Sequence, residues 1–511
     1  MRAAIVSLGI AFALLTAGAQ STKPSYEDSL VLAPLYIEYT SVSADKFAAE
    51  ATELRRRIGE APHVLLGFAG FLWLDYDRTP QLDRPIEETI LASALGNVDI
   101  IVQRARDNGL VTHIALVSGF FHGWNRLREA AVRQDVRNAQ WFADGWIAPP
   151  ADLTNPRVVP RSIWTTPSSY AMPLRTRMEE TIRLVSRHLA GKMAEFPETL
   201  VSVSGDGEVE LTWERNFGPD ATGRTSKAGI VYADYSPFAV AEFRDWLRSP
   251  AYSGDRTPDS DDDGDGHTFN KDFGQQFNTW QLKYFEESGP ISFAAYMALP
   301  DKLPTSGPYL IDKGFDAPRA PHGGDRFWEA WMRFRKQMIV NYVRDFARWM
   351  TASPPISSDR FYSHQIPADF LFGQRNDVRL QTSASPVETA FIDPFGSAGV
   401  TVYNLFDGKR HLRTATPALF SEISSRSSNW GVLEYNPSVP ARPTIEPSKD
   451  SGYYLEELRT LYKFRPHVIV PFPWTELQEH LPAAIKGRPY ERALRLFVEE
   501  VGKVPWSPRG L

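Results

Sequence analysis

Apolar residues along this chain cluster in short β-branched or aromatic runs, each closed by turn residues, which is the pattern of buried strands. The runs are VLAPLYIEYT (31–40), HVLLGFAGFL (63–72), VTHIALVSGF (111–120) and LVSVSGD (200–206). Four more follow: RFYSHQI (360–366), GVTVYNL (399–405), WGVLEYN (430–436) and HVIVPFPW (467–474). Between them the apolar spacing lengthens to three and four, the repeat of a helix with one buried face. Phe47 to Ile58 is amphipathic, Ile86 to Asp107 keeps helical spacing, and Leu174, Met178, Ile182, Val185, Leu189 and Met193 make one stripe. Pro237, suited to a first helical turn, opens FAVAEFRDWLR. Phe327 to Met350 is a long aromatic-rich helix, and shorter ones fit at 415–426, 451–463 and 488–501.

Eight strands alternating with helices predict an α/β chain folded as a (β/α)8 TIM barrel; a doubly wound open sheet is the competing topology. Two intervals are too long for simple connections, 121–170 after the third strand and 250–325 after the fourth. In a barrel both are insertions at the C-terminal face, where long loops wall a pocket.

The first residues change the boundaries. Arg2, an apolar run from Ala3 to Leu15 and the small trio Ala17-Gly18-Ala19 have the layout of a secretory signal peptide over 1–19. The run is shorter than the roughly 20 apolar residues a membrane span needs. The expectation is an exported protein, periplasmic or extracellular, whose catalytic barrel occupies 20–511. The chain has no cysteine, which removes disulfides, thiolate metal sites and cysteine nucleophiles. A net charge of −6 without a basic block argues against nucleic acid or an anionic membrane surface as partner. The sequence lacks H-E-x-x-H, G-x-S-x-G, P-loop and dinucleotide-binding patterns.

The candidate chemistry is carboxylic. LVSVSGDGEVELTWE brings a strand to a glycine stop and then places Glu208, Glu210 and Glu214 in quick succession, while Glu434 lies inside the seventh strand, WGVLEYN. An acid between Leu433 and Tyr435 costs desolvation unless it is satisfied or working. Residues just past the ends of barrel strands share one mouth, so acids from strands four and seven approach each other across it. Two carboxyl groups flanking a bond are what glycoside cleavage requires, one as proton donor and one as nucleophile or base.

The stretch LVSVSGDGE resembles the strand-four segment of family 42 β-galactosidases, and YSPFAVAEFRDWLR is similar to the segment that follows it there. The layout resembles the retaining barrel glycoside hydrolases of clan A. The likeness covers the barrel only, and Gly207 stands where that family has asparagine. The resemblance implies Glu208 as acid/base, with Glu210 in reserve, and Glu434 as nucleophile. It further implies that Tyr403, closing strand six, hydrogen-bonds the nucleophile, and that Trp474, closing strand eight, is a sugar platform. Other polar and aromatic residues near strand ends are candidates for sugar contacts: Glu38, Trp73, Asp75, His122, Trp124, His364 and Gln365, with Tyr36 as a further platform.

One motif stands apart. Asp259, Asp261, Asp263 and Asp265 alternate around Gly264, like the start of a calcium loop, where alternate oxygens coordinate and glycine allows the turn. Asn270 holds the twelfth position, so the match to an EF-hand is incomplete and a structural calcium clamp is the expectation. The expected activity is an exported retaining glycosidase needing no cofactor for catalysis, acting from chain ends on a β-linked galactoside or related hexoside in an oligosaccharide. The alternatives are a catalytically silent carbohydrate-binding barrel, an inverting enzyme (GDGEVEL also resembles the Gly-Glu-Leu acid motif of β-amylases) and a structural envelope protein.

Overall fold

The computed structural model describes residues 25–86, 88–118, 120, 126–134, 138, 158–159, 172–207, 209, 212–217, 229–232, 235–248, 326–352, 355–367, 386–403, 412–436, 451–475 and 484–508. Eight parallel strands form a ring: β1 (Leu30–Leu32), β2 (Val64–Trp73), β3 (Val111–Val117), β4 (Leu200–Gly207), β5 (Phe361–His364), β6 (Ala398–Tyr403), β7 (Trp430–Asn436) and β8 (Val468–Pro471). Their spatial order follows their chain order, with β1 paired to β8. Between β5 and β6 the seam is drawn together by bridges at Tyr362–Ser397 and Gln365–Val400. This is the (β/α)8 barrel that the alternating pattern predicts. All eight strands lie where the apolar runs place them, although β1 is cut short. Pro34 has no N–H for the ladder, and the chain turns into a 3-10 helix at Ile37–Tyr39.

The helices follow in register: α1 (Ala44–Ile58), α2 (Ala92–Asp107), α3 (Met172–Glu195), α4 (Arg326–Met350), α5 (Leu412–Arg426), α6 (Ser451–Tyr462) and α7 (Pro489–Val501). Among the described residues, the step between β5 and β6 carries a single 3-10 turn, Val387–Ala390. Local chemistry fixes the ends of α1. Ser43 Oγ accepts the Lys46 N–H at 3.2 Å as N-cap, and Gly59 stops the helix at φ +87°, a region costly for residues with a Cβ. The predicted helix at Pro237–Arg248 is also present, in the connection between β4 and α4.

Period-two alternation divides the core into two layers. Leu66, Phe68 and Leu72 of β2 face the helices, in one layer with Ile101 of α2 and Phe47 of α1. Val31, Ala33, Ala69, Val111, Val201, Tyr362, Leu433, Val468 and Val470 form the second cluster, inside the ring. Gly67 also points inward, and a Cβ there would lie 1.8 Å from the Val111 carbonyl oxygen. Only glycine lets β2 and β3 approach this closely.

The N-terminal face is plugged. Tyr26, ahead of β1, shares a 2.7 Å hydrogen bond with Tyr362. Tyr362 donates to Asn429 Oδ1 at 3.0 Å, and His467 Nδ1 approaches the same oxygen at 3.0 Å. Trp506 stacks on His467 with ring centroids 4.0 Å apart and 12° between planes. Its indole N–H bonds the Pro466 carbonyl, and its backbone N–H bonds the Asp28 carbonyl.

A separate antiparallel sheet joins Val158–Val159, Thr212–Phe217 and Gly229–Tyr232. It links the insertion after β3 to the connection after β4, an association the sequence reading did not foresee. The other long insertion, 250–325, lies outside the described residues. No helix among the described residues is long and apolar enough to cross a membrane.

Replacing Trp506 with alanine removes the stacked lid of the plug. The variant is expected to lose about 3 kcal/mol of stability, read as a lower midpoint in urea denaturation.

Candidate active site

Strict alternation along β7 would turn Glu434 outward, because Leu433 beside it faces the interior. The ladder does not alternate strictly. Val432 pairs with Val400 and Ile469, but the next partners are Glu434 with Thr401 and Tyr435 with Pro471. One extra residue is therefore inserted on β7. Such a bulge places two successive side chains on one face, so Leu433 and Glu434 both point inside while Val432 and Tyr435 belong to the helix-facing layer. The Glu434 carboxylate is thus buried at the C-terminal end of β7, with 6% of the residue exposed.

β4 carries two such irregularities. Thr112 pairs with Leu200 and His113 with Ser202, so Val201 is the extra residue. Ser202 and Ser204 then face inward together with His113. Between Ser204, paired with Tyr362, and Gly207, paired with His364, a second extra residue enters. It leaves Asp206 outward, against α4. The Asp206 carboxylate accepts from the Ser118 amide at 2.9 Å, the Ser118 hydroxyl and the Tyr342 hydroxyl at 2.9 Å. Asp206, between the two glycines that end β4, is therefore an anchor that ties the end of β4 to the end of β3 and to α4.

Gln365 holds the same corner from the other side. Its Nε2 donates to the Asp206 carbonyl at 2.6 Å, and its Oε1 accepts the Val209 N–H at 3.1 Å. Both residues are fully buried. The backbone on each side of position 208 is thereby fixed, although Glu208 and Glu210 themselves lie outside the described residues.

Inside the ring an arc of polar groups runs from β3 to β7. His113 Nδ1 lies 2.8 Å from Ser202 Oγ, and its Nε2 lies 3.0 Å from Ser204 Oγ. Ser204 Oγ is 3.4 Å from His364 Nδ1. His364 Nε2 is 3.7 Å from a Glu434 carboxylate oxygen, and this pair is almost wholly buried. Burial, with His364 adding repulsion, lowers His113 to about 3, so its ring is neutral. A neutral imidazole between two hydroxyls can satisfy both of its nitrogens.

The other predicted residues divide. Glu434, His364 and Gln365 are brought together at one end of the barrel. Trp73 ends β2 on the inward side, next to Phe71 at 5.7 Å, and is 51% exposed, so it presents a free ring at the mouth. Asp75 accepts the Arg126 N–H at 3.1 Å and pairs with the Arg126 guanidinium at 3.6 Å, at the start of the helix Arg126–Gln134. Glu38 pairs with Lys46 at 3.4 Å on the surface. Trp474 takes a different place from the one the resemblance implied. Its ring is fully buried beside Phe68, and its indole N–H bonds Glu50 at 3.0 Å. It offers no face to a sugar, because the side chain points into the helix-facing layer, whereas Phe472, two residues earlier, lies in the interior cluster. Tyr36 is likewise buried, against Phe47 and Phe68. Tyr403 pairs with Asn436 at the end of β6, and its side chain lies outside the described residues. His122, Trp124 and Asp259, Asp261, Asp263 and Asp265 also lie outside them. Among the described residues no cluster of His, Asp or Glu is suited to a metal ion.

Sequence reading missed His113, Ser202 and Ser204. The signal was present: His113 interrupts an apolar strand at the inward register of Val111, and two serines alternate in VSVSG.

The barrel fold has counterparts among solved structures. It is similar to a β-galactosidase from the psychrophilic Marinomonas ef1, with 13% identity and a TM-score of 0.51. That match covers 92% of this chain and 59% of the galactosidase, so the chain spans well under two thirds of that protein's length. It is also similar to the catalytic domain of a β-amylase from Paenibacillus polymyxa, with 11% identity and a TM-score of 0.50, over 93% of this chain and 99% of that one. At these identities the likeness is one of fold. No protein-family model matches the sequence, and no curated protein matches it significantly.

Two outcomes follow from this geometry. Replacing Gln365 with leucine orphans a buried carbonyl and a buried amide. It is expected to cost about 2–4 kcal/mol, measured by chemical denaturation. The neutral His113 also sets an acid limit. Its folded value lies below the unfolded value near 6.5, so its contribution to stability is complete above about pH 6.5 and is lost progressively as pH falls towards 3. Urea denaturation across that window is expected to show a loss of about 1.4 kcal/mol per pH unit from this residue. The slope is reduced in His113→Gln, leaving the part due to buried His467, which burial lowers to about 4.

Proposed function

We propose that the protein is an exported retaining glycoside hydrolase. Glu434 attacks the anomeric carbon while Glu208 protonates the departing oxygen, and Glu208 then draws a proton from the water that releases the sugar. Glu210 is the reserve acid/base. The observation that carries this reading is the placement of Glu434. A bulge turns a buried carboxylate into the barrel at the C-terminal end of β7, beside His364, whose ladder partner is Gly207, the residue immediately before Glu208. A buried acid turned inward at that height, with the chain leading to a second acid one stave away from its neighbour, suits a reaction that needs two carboxyl groups about 5–5.5 Å apart. The free ring of Trp73 suits stacking against an apolar sugar face.

The substrate class is a β-linked galactoside or related hexoside within an oligosaccharide, cleaved from its end. Support for it comes from the motif likeness and from the galactosidase among the similar folds. In the same reading the aspartates at 259, 261, 263 and 265 clamp calcium for structure, and no cofactor takes part in the chemistry. A second reading, an inverting glycosidase, is favoured by the similarity to the β-amylase domain over nearly its whole length. Inversion requires carboxyl groups about 6.5–9.5 Å apart, leaving room for water.

Product stereochemistry distinguishes the two. With a panel of aryl glycosides and NMR observation of the first-formed anomer, retention is expected. Glu434→Gln is expected to lower kcat by about three orders of magnitude or more while sugar binding persists. Hydrolysis at the wild-type rate by that variant removes Glu434 from the mechanism.

A further inference from the structure

The arc inside the barrel has more order than sugar binding requires. A carboxylate can only accept a hydrogen bond, so the nitrogen of His364 that faces Glu434 is most stable as N–H. Nε2 faces it, at 3.7 Å, and makes no hydrogen bond among the described residues. The separation is longer than a direct hydrogen bond; free active sites commonly hold such pairs loosely and tighten them around substrate. With the proton on Nε2, Nδ1 of His364 is an acceptor, and the Ser204 hydroxyl is the donor that reaches it. That hydroxyl has one proton. Once the proton is committed to His364, Ser204 Oγ must accept from the other side, where His113 Nε2 lies at 3.0 Å. His113 Nδ1 is then bare and accepts from Ser202 at 2.8 Å. Every contact is satisfied in this one sense when both rings are neutral.

We propose that Ser202, His113 and Ser204 form a one-way hydrogen-bond relay that locks His364 in its Nε2–H tautomer and aims that N–H at the Glu434 carboxylate. His364 is a positioning residue for Glu434, and Ser204 and His113 act through it. The relay stabilises the ionised carboxylate in the free enzyme and keeps it pointed at the anomeric centre. Because the Nε2–H of His364 donates along a fixed line, it orients the nucleophile. The low proton affinity of buried His113 keeps the far end of the chain from reversing at ordinary pH. The functional half of this inference rests on Glu434 being the nucleophile.

The test uses the full chain labelled with 15N-histidine, the signals of residues 113 and 364 being assigned by their loss in His113→Gln and His364→Gln. At neutral pH both rings are expected to show the two-bond coupling pattern of the Nε2–H tautomer. Ser204→Ala removes the hydroxyl that holds His364 Nδ1. It is expected to move His364 towards a tautomer mixture and to lower kcat on an aryl glycoside about tenfold, with KM changed less than twofold. A His364 carrying its proton on Nδ1 in the wild type overturns the relay. So does a folded Ser204→Ala whose tautomer and kcat match the wild type. If Ser204→Ala fails to fold, the wild-type tautomers decide alone. If the tautomers are as stated but no glycoside is cleaved, the relay stands and the glycosidase reading falls.

Discussion

The controlling constraint is that a closed ring of parallel strands gives each residue only two directions, inward or towards the helices. A regular strand cannot change that assignment, and many inward positions here go to small or apolar side chains such as Val31, Ala69 and Val468, while His113 of β3 and His364 of β5 also face inward. Further polar groups enter where regularity breaks. The extra residue in β7 turns Glu434 in, and the first extra residue in β4 turns Ser202 and Ser204 in. The second turns Asp206 out to its anchor. Three local slips of one residue thus decide which polar side chains of β4 and β7 face the centre of the barrel.

The interior is graded as a result. Near the N-terminal ends it is apolar, closed beneath by tyrosines, His467 and Trp506. Higher up, hydroxyls and imidazoles take over, and the carboxylate comes last. Most polar atoms in the arc lie within hydrogen-bond distance of another, as burial of such groups favours; His364 Nε2, 3.7 Å from Glu434, does not. The corner that leads to the second acid is fixed by two independent devices, the Asp206 carboxylate on its outer side and the Gln365 amide on the other. Held from both sides, that corner has little freedom to drift.

Much of this was legible before any coordinates. Strand number, order and helix placement follow from apolar periodicity, because each element buries one face and the period reports which. Glu434 could be singled out because an acid inside WGVLEYN has no comfortable place in a regular strand. The bulge that resolves this conflict was not legible, since it depends on register against β6 and β8 rather than on any residue of β7. Trp474 was misjudged for the same reason. Its position at a strand end was right, but its direction depends on how the chain leaves β8, and the side chain ends beside Phe68 and Glu50. The small sheet joining Val158–Val159 to Thr212–Phe217 was invisible because its strands are short and lie far apart in sequence.

The plug on the N-terminal face has one more consequence. The Trp506 amide donates to the Asp28 carbonyl, so the two extremities of the described chain are stitched side by side, on the side of the ring remote from Glu434. The cylinder is therefore fastened like a clasp whose halves come from opposite termini. Proteolytic trimming at either extremity would release its mate as well, and the unravelling would start on the underside, leaving the rim that carries Glu434 the last part to feel it.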